Sequence, residues 1–209
     1  MCYLTVYIVF DFPETVTLKD AAVLTPGVAA LRESGFLLED GAATADAWGG
    51  ALRRGTRSAY LAFKGALDLT VSVVLNQPRR LYCATPRPVA LKPEGARAFV
   101  DAAQTLWEAV QPDYGFGLIS LDMQMLDAPG TGDYRLKTVY DYNFLSQRML
   151  TPIGLNTLKA VPGARVATLA GGGALLEVAP HPLGDRKMYM STYQTAAMLL
   201  GASAFQQGC

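Results

Sequence analysis

Histidine occurs once in this sequence, at His181, and cysteine three times, at Cys2, Cys83 and Cys209. One imidazole leaves no second nitrogen ligand for a metal centre. Three scattered thiols without a Cys-x-x-Cys spacing build neither a disulfide framework nor a zinc site. Reduced thiols are the expectation, with Cys83 packed in a strand. No apolar run approaches the roughly 20 residues of a membrane-spanning helix, the longest lying near Cys2–Phe10. The start also lacks a basic segment leading into an apolar run and a small-residue cleavage site. These gaps point to a cytoplasmic chain with no membrane span.

Catalytic signatures are equally sparse. His181 stands between Pro180 and Pro182 with Asp185 close behind, and no G-x-S-x-G elbow or cysteine nucleophile signature accompanies it. A small-molecule-binding protein or hydrolase with a pocket near His181 is therefore the rival reading. Gly171-Gly172-Gly173 is followed by the strand-like Ala174-Leu175-Leu176-Glu177-Val178. A phosphate cradle opens onto a helix instead, so these glycines read as a hairpin turn. The acids Asp122, Asp127, Asp133 and Asp141 lack the alternating spacing of a calcium loop. Neither a cofactor nor a metal is expected.

What is present is a chain rich in core. Of its 209 residues, 51% are hydrophobic and 17% charged, a balance that folds rather than staying disordered. Net charge is zero, which argues against nucleic acid as a partner. The charges are nonetheless segregated. Residues 53–97 hold nine bases (Arg53, Arg54, Arg57, Lys64, Arg79, Arg80, Arg87, Lys92, Arg97) against Asp68 and Glu94, while residues 1–50 and 101–141 are acidic. Such segments either pair within the fold or give a charged face to a protein partner.

Cys2–Asp11, β-branched and aromatic, reads as a central strand covered on both faces. Thr25-Pro26 reads as a helix start, with Gly35 just past the end. Glu39–Gly55 is a loop or a short helix around Trp48. Arg57–Phe63 and Leu67–Leu75 form a hairpin about Lys64-Gly65-Ala66, the second arm alternating apolar and polar residues. A strand follows at Arg80–Ala84. Pro93–Val110 is the main core helix, its stripe formed by Ala96, Phe99, Val100, Ala103, Leu106, Trp107 and Val110. Asp113-Tyr114-Gly115 reads as a turn, Gly117–Met125 as a strand, and Asp127–Asp133 as a loop that could separate two halves. Tyr134–Tyr140 is strand-like and Asp141-Tyr142-Asn143 a polar break. A helical segment kinked at Pro152, a hairpin from Arg165 to Pro180 and a helix over Met190–Ala204 complete the chain. This order predicts one α+β domain: a mostly antiparallel twisted sheet with helices on one face, admitting two similar α+β halves.

Tyr114, Phe116, Tyr134, Tyr140, Tyr142 and Phe144 cluster beside acids over 113–144. Tyrosine among acids suits a basic protein partner. The candidate partner-binding residues are therefore Asp113, Tyr114, Asp122, Asp127, Asp133, Tyr140, Asp141 and Tyr142, with no catalytic residue among them. Within the same region, Val139-Tyr140-Asp141-Tyr142-Asn143-Phe144, then Ile153-Gly154, Pro162-Gly163 and Gly171-Gly172-Gly173-Ala174-Leu175-Leu176, the chain resembles immunity proteins of bacterial polymorphic toxin and type VI secretion systems, in particular the immunity protein 52-like group. The resemblance implies a non-enzymatic cytoplasmic inhibitor that binds and blocks a cognate protein toxin, with a homodimer left open.

Overall fold

A computed structural model describes residues 5–39, 47–77, 79–118, 139–178 and 186–200. Among them, nine strands make one sheet in the order β2-β3-β4-β5-β1-β6-β7-β9-β8, and every neighbouring pair is antiparallel. The strands are β1 (Thr5–Asp11), β2 (Leu37–Leu38), β3 (Ser58–Lys64), β4 (Leu69–Val74), β5 (Arg80–Pro86), β6 (Tyr114–Leu118), β7 (Tyr142–Leu145), β8 (Arg165–Thr168) and β9 (Ala174–Glu177). The helices are α1 (Ala21–Glu33), α2 (Ala47–Arg54), α3 (Arg87–Ala90), α4 (Pro93–Val110), α5 (Gln147–Leu150), α6 (Leu155–Lys159) and α7 (Arg186–Leu200). This is the expected α+β class. The apolar opening strand lies centrally, as its composition requires, with β5 on one side and β6 on the other.

Alternation along the strands sends successive side chains to opposite faces, and the sheet buries both. Val6, Ile8 and Phe10 of β1 join Leu61, Val71 and Cys83 beneath α1, α2 and α4. Val9 faces the other way and joins Tyr114, Phe116, Tyr140 and Leu176, together with Leu158 of α6 and Ala196 of α7. Helices therefore cover both faces rather than one. The first half of the chain supplies one layer and the last third the other.

The main core helix is where periodicity places it. Its whole predicted stripe is buried, Pro93 stands in its first turn, and Gln111 closes it in a left-handed conformation with φ of 49°. Trp107 meets Phe10 and Phe144 with ring centroids 5.5 and 5.4 Å apart, and Phe10 and Phe144 themselves lie 5.4 Å apart edge to face. This trio needs Gly115: a Cβ there would stand 2.5 Å from the Phe10 ring.

Three local expectations change. Helix α1 starts four residues before Thr25, because Asp20 caps it by accepting a hydrogen bond from the Ala22 N–H at 3.0 Å. Pro26 consequently lies inside the helix, where it removes one i→i−4 bond; Gly35 does follow the helix end, with φ of 90°. The anticipated turn at Asp113-Tyr114-Gly115 is already the start of β6. The anticipated polar break at Asp141-Tyr142-Asn143 leads directly into a fully buried strand, β7. The option of a short helix around Trp48 is realised as α2, where the indole N–H donates to the Leu18 carbonyl at 3.0 Å. The kink at Pro152 separates α5 from α6, and the glycine hairpin joins β8 to β9 through a 3-10 turn at Ala170–Gly172. The Asp127–Asp133 loop and most of the strands expected on either side of it lie outside the described residues.

Candidate functional site

The residues singled out for partner binding meet different fates. Tyr114, Tyr140, Asp141 and Tyr142 are buried, none more than 2% exposed, so in this fold they offer no contact surface. Phe116 and Phe144 are core as well. Tyr114 stacks on Phe116 at 5.6 Å, and Phe116 packs against Tyr140 at 4.7 Å. Asp122, Asp127, Asp133, Tyr134, His181 and Asp185 lie outside the described residues. Asp113 alone remains at the edge of a concavity.

Burial of so many polar groups requires partners, and the chain supplies most of them locally. The Asn143 carboxamide accepts a hydrogen bond from the Tyr140 N–H at 3.0 Å and donates to the Tyr140 carbonyl at 2.8 Å. It thereby closes the turn that feeds β7. The Asp141 carboxylate accepts from the Tyr193 hydroxyl of α7, tying the last helix to the sheet, while the Asp141 carbonyl accepts from the Val178 N–H at 2.8 Å. Glu177, on β9, is buried against Arg97 of α4 at 2.9 Å, and the same guanidinium also holds Asp101. Arg97 is held well above its ordinary pKa, first by the Asp101 hydrogen bond.

Two atoms on the second face of the sheet have no partner among the described residues: Asp11 Oδ2 and the Tyr114 hydroxyl, both buried. Their residues sit opposite each other across β1 and β6. Burial pushes the Asp11 carboxyl up from 3.8 to about 6, offset in part by Arg80 at 2.9 Å. Burial also lifts Tyr114 well above its usual value, aided by Tyr140 and Asp11. The sequence sign of this site is a carboxylate, Asp11, closing an almost wholly apolar strand. A raised carboxyl pKa means that the folded chain binds the proton more tightly than the unfolded one. The resulting stabilisation is present at low pH and lost as pH rises through about 6. Compared with Asp11→Asn, the wild type should gain about 2 kcal/mol between pH 7.5 and pH 4.5. Urea midpoints of both proteins at the two pH values measure this; parallel changes would refute it.

Two of the concavities on the described surface carry charged groups. One, of about 240 Å³, lies at the end of α4 between Gln111, Asp113, Gln147, Arg148 and the glycine turn. Asp113 and Arg148 form an ion pair there at 3.1 Å, leaving an amide-lined hollow of balanced charge. The other, about 510 Å³, follows β3 beside the last turn of α2, with Arg54, Arg57 and Tyr60 in its wall. Cys83 is sealed in the core, its thiol pushed up to about 12 by burial. Among the described residues no group of three or more metal-ligating side chains converges, and no helix is long and apolar enough to cross a membrane.

No protein-family model matches the chain, and no curated protein is similar to it in sequence. Its fold is similar to that of the Pseudomonas aeruginosa T6SS protein PA0821, with a TM-score of 0.55 and 14% identity, over 94% of this chain and 71% of that one. At this identity the likeness is one of fold.

Proposed function

We propose that this chain is an immunity protein of a bacterial type VI secretion system, which binds and neutralises a cognate effector toxin in the cytoplasm without catalysing a reaction. The observation that carries this reading is the fold, similar over 94% of the chain to a T6SS protein. It is supported by the resemblance of the 139–176 segment to toxin immunity proteins. The physical character of the molecule suits the role. Its polar core groups link elements to one another, through Asn143 within the β7 turn, Asp141 to α7 and Glu177 to α4. A preorganised inhibitor loses little conformational freedom on binding, so more of the contact energy appears as affinity.

The test is co-expression in a sensitive host with the toxin encoded by the adjacent gene. Growth should be restored, and the two purified proteins should co-elute as a complex. Unrelieved toxicity together with separate elution would rule the proposal out.

A further inference from the structure

Resting on the immunity reading, we infer that the effector inserts one basic side chain, a lysine or an arginine, into the hollow at the end of α4, where Asp113 and Gln111 receive it. The hollow, about 240 Å³, forms where four segments meet: the end of α4, Asp113 ahead of β6, the start of α5 and the glycine turn between β8 and β9. That space admits a single long side chain but not a helix, which is about 10 Å across. Two acceptors are set in its wall. Asp113 is fixed through its backbone on both sides, its N–H donating to the Asp11 carbonyl and its carbonyl accepting from the Ser146 N–H, each at 3.0 Å. Its Oδ2 accepts from Arg148 at 3.1 Å. A carboxylate accepts on both oxygens, so a second cation can share Asp113 with Arg148. Gln111 is the one described non-glycine residue with positive φ, 49°. Its Nε2 donates to the Glu108 carbonyl at 2.7 Å, which turns the carboxamide oxygen the other way, over Gly171. A Cβ on Gly171 would stand 2.6 Å from that oxygen.

Acceptors call for a donor, and charge selects among donors. Within the hollow Asp113 and Arg148 balance, so the helix end beside them decides. α4 is 18 residues long and carries no base in its last turn, which leaves the negative end of its dipole without a countercharge of its own. Glu108 lies in that turn, and its carboxylate accepts from the Ala170 N–H in the wall at 3.4 Å and from Gln104 at 3.0 Å. Both donors are neutral, so its charge stays in place. A neutral amide entering the hollow would leave this excess unanswered, and a carboxylate would add to it. An ammonium or a guanidinium brings donors and no acceptor, and supplies the missing charge. The basic partner expected from the acidic, aromatic 113–144 stretch is thereby kept, but carried by Asp113 rather than by the tyrosines and Asp141, which the fold buries.

The test uses the full chain and the effector encoded beside it, with affinity measured by calorimetry. Gln147 stands exposed in the wall of the hollow, where a charge of either sign can be placed without entering the core. Gln147→Lys should weaken binding about tenfold or more, whereas Gln147→Glu should tighten it. Asp113→Asn keeps the shape, removes the charge and should also weaken binding about tenfold, with its thermal melt reporting that it remains folded. The reverse order at Gln147, Lys binding more tightly than Glu, assigns the hollow to an acidic group and overturns the inference. Equal effects of Lys and Glu, whether a loss or none, overturn it too, as does a folded Asp113→Asn that binds at full strength. Each of these leaves the immunity reading standing. No binding by the wild type sinks both.

Discussion

Phe144→Ala is expected to lower the free energy of unfolding by about 3–5 kcal/mol, the range for deleting a buried aromatic ring. Phe144 is fully buried and touches both other members of the trio, Phe10 of the central strand and Trp107 of the core helix. The cavity left behind cannot collapse easily. Phe10 is fixed by pairing on two sides, and Trp107 is anchored in a helix whose own stripe is buried. Against a total stability of about 5–15 kcal/mol for an ordinary domain, this loss leaves part of the population unfolded near physiological temperature. Urea denaturation followed by tryptophan fluorescence measures it directly, since Trp107 is one of only two tryptophans. A loss below about 1 kcal/mol would mean that the site repacks, contrary to the normal density of protein cores.

Asn143→Leu tests a different kind of cohesion. Leucine nearly preserves the volume but removes both groups that satisfy the Tyr140 backbone. Each buried polar group left without a partner costs about 1–3 kcal/mol, so a loss of about 2–6 kcal/mol is expected for the two. Asn143→Asp should be at least as damaging at neutral pH: it keeps the acceptor for the Tyr140 N–H but replaces the donor with a buried charge facing a carbonyl. A result in which Leu is neutral and Asp harmful would show that the turn rearranges to satisfy itself. Equal harm from both would support the bidentate role of the amide.

The strength of the sequence signal varies along the chain in a physically intelligible way. β4 and α4 each bury one side, and a single period, two for Leu69–Val73 and about 3.6 for Ala96–Val110, declares it. β1 is buried on both faces and declares itself by composition. β7 does neither, because a strand covered from both sides can carry polar residues if other elements satisfy them. Asp141 and Asn143 lead to the expectation of a break, since nothing local shows that Tyr193 and the Leu176 carbonyl will be waiting. The same blindness makes the 113–144 aromatics look like a binding surface. Composition cannot distinguish a tyrosine in a core from one at an interface when both environments favour large amphipathic rings.

The position of β1 has a consequence for how the molecule is made. It is synthesised before the other eight described strands of the sheet, yet one of its neighbours, β6, ends at Leu118, more than 100 residues later. Until that residue has been synthesised, an almost wholly apolar strand has one side without its native partner. Pairings this distant in sequence slow folding and lengthen exposure to aggregation. In the immunity reading that delay sets a race, because protection begins only when the sheet has closed, and the toxin's own maturation time fixes how long the cell can wait.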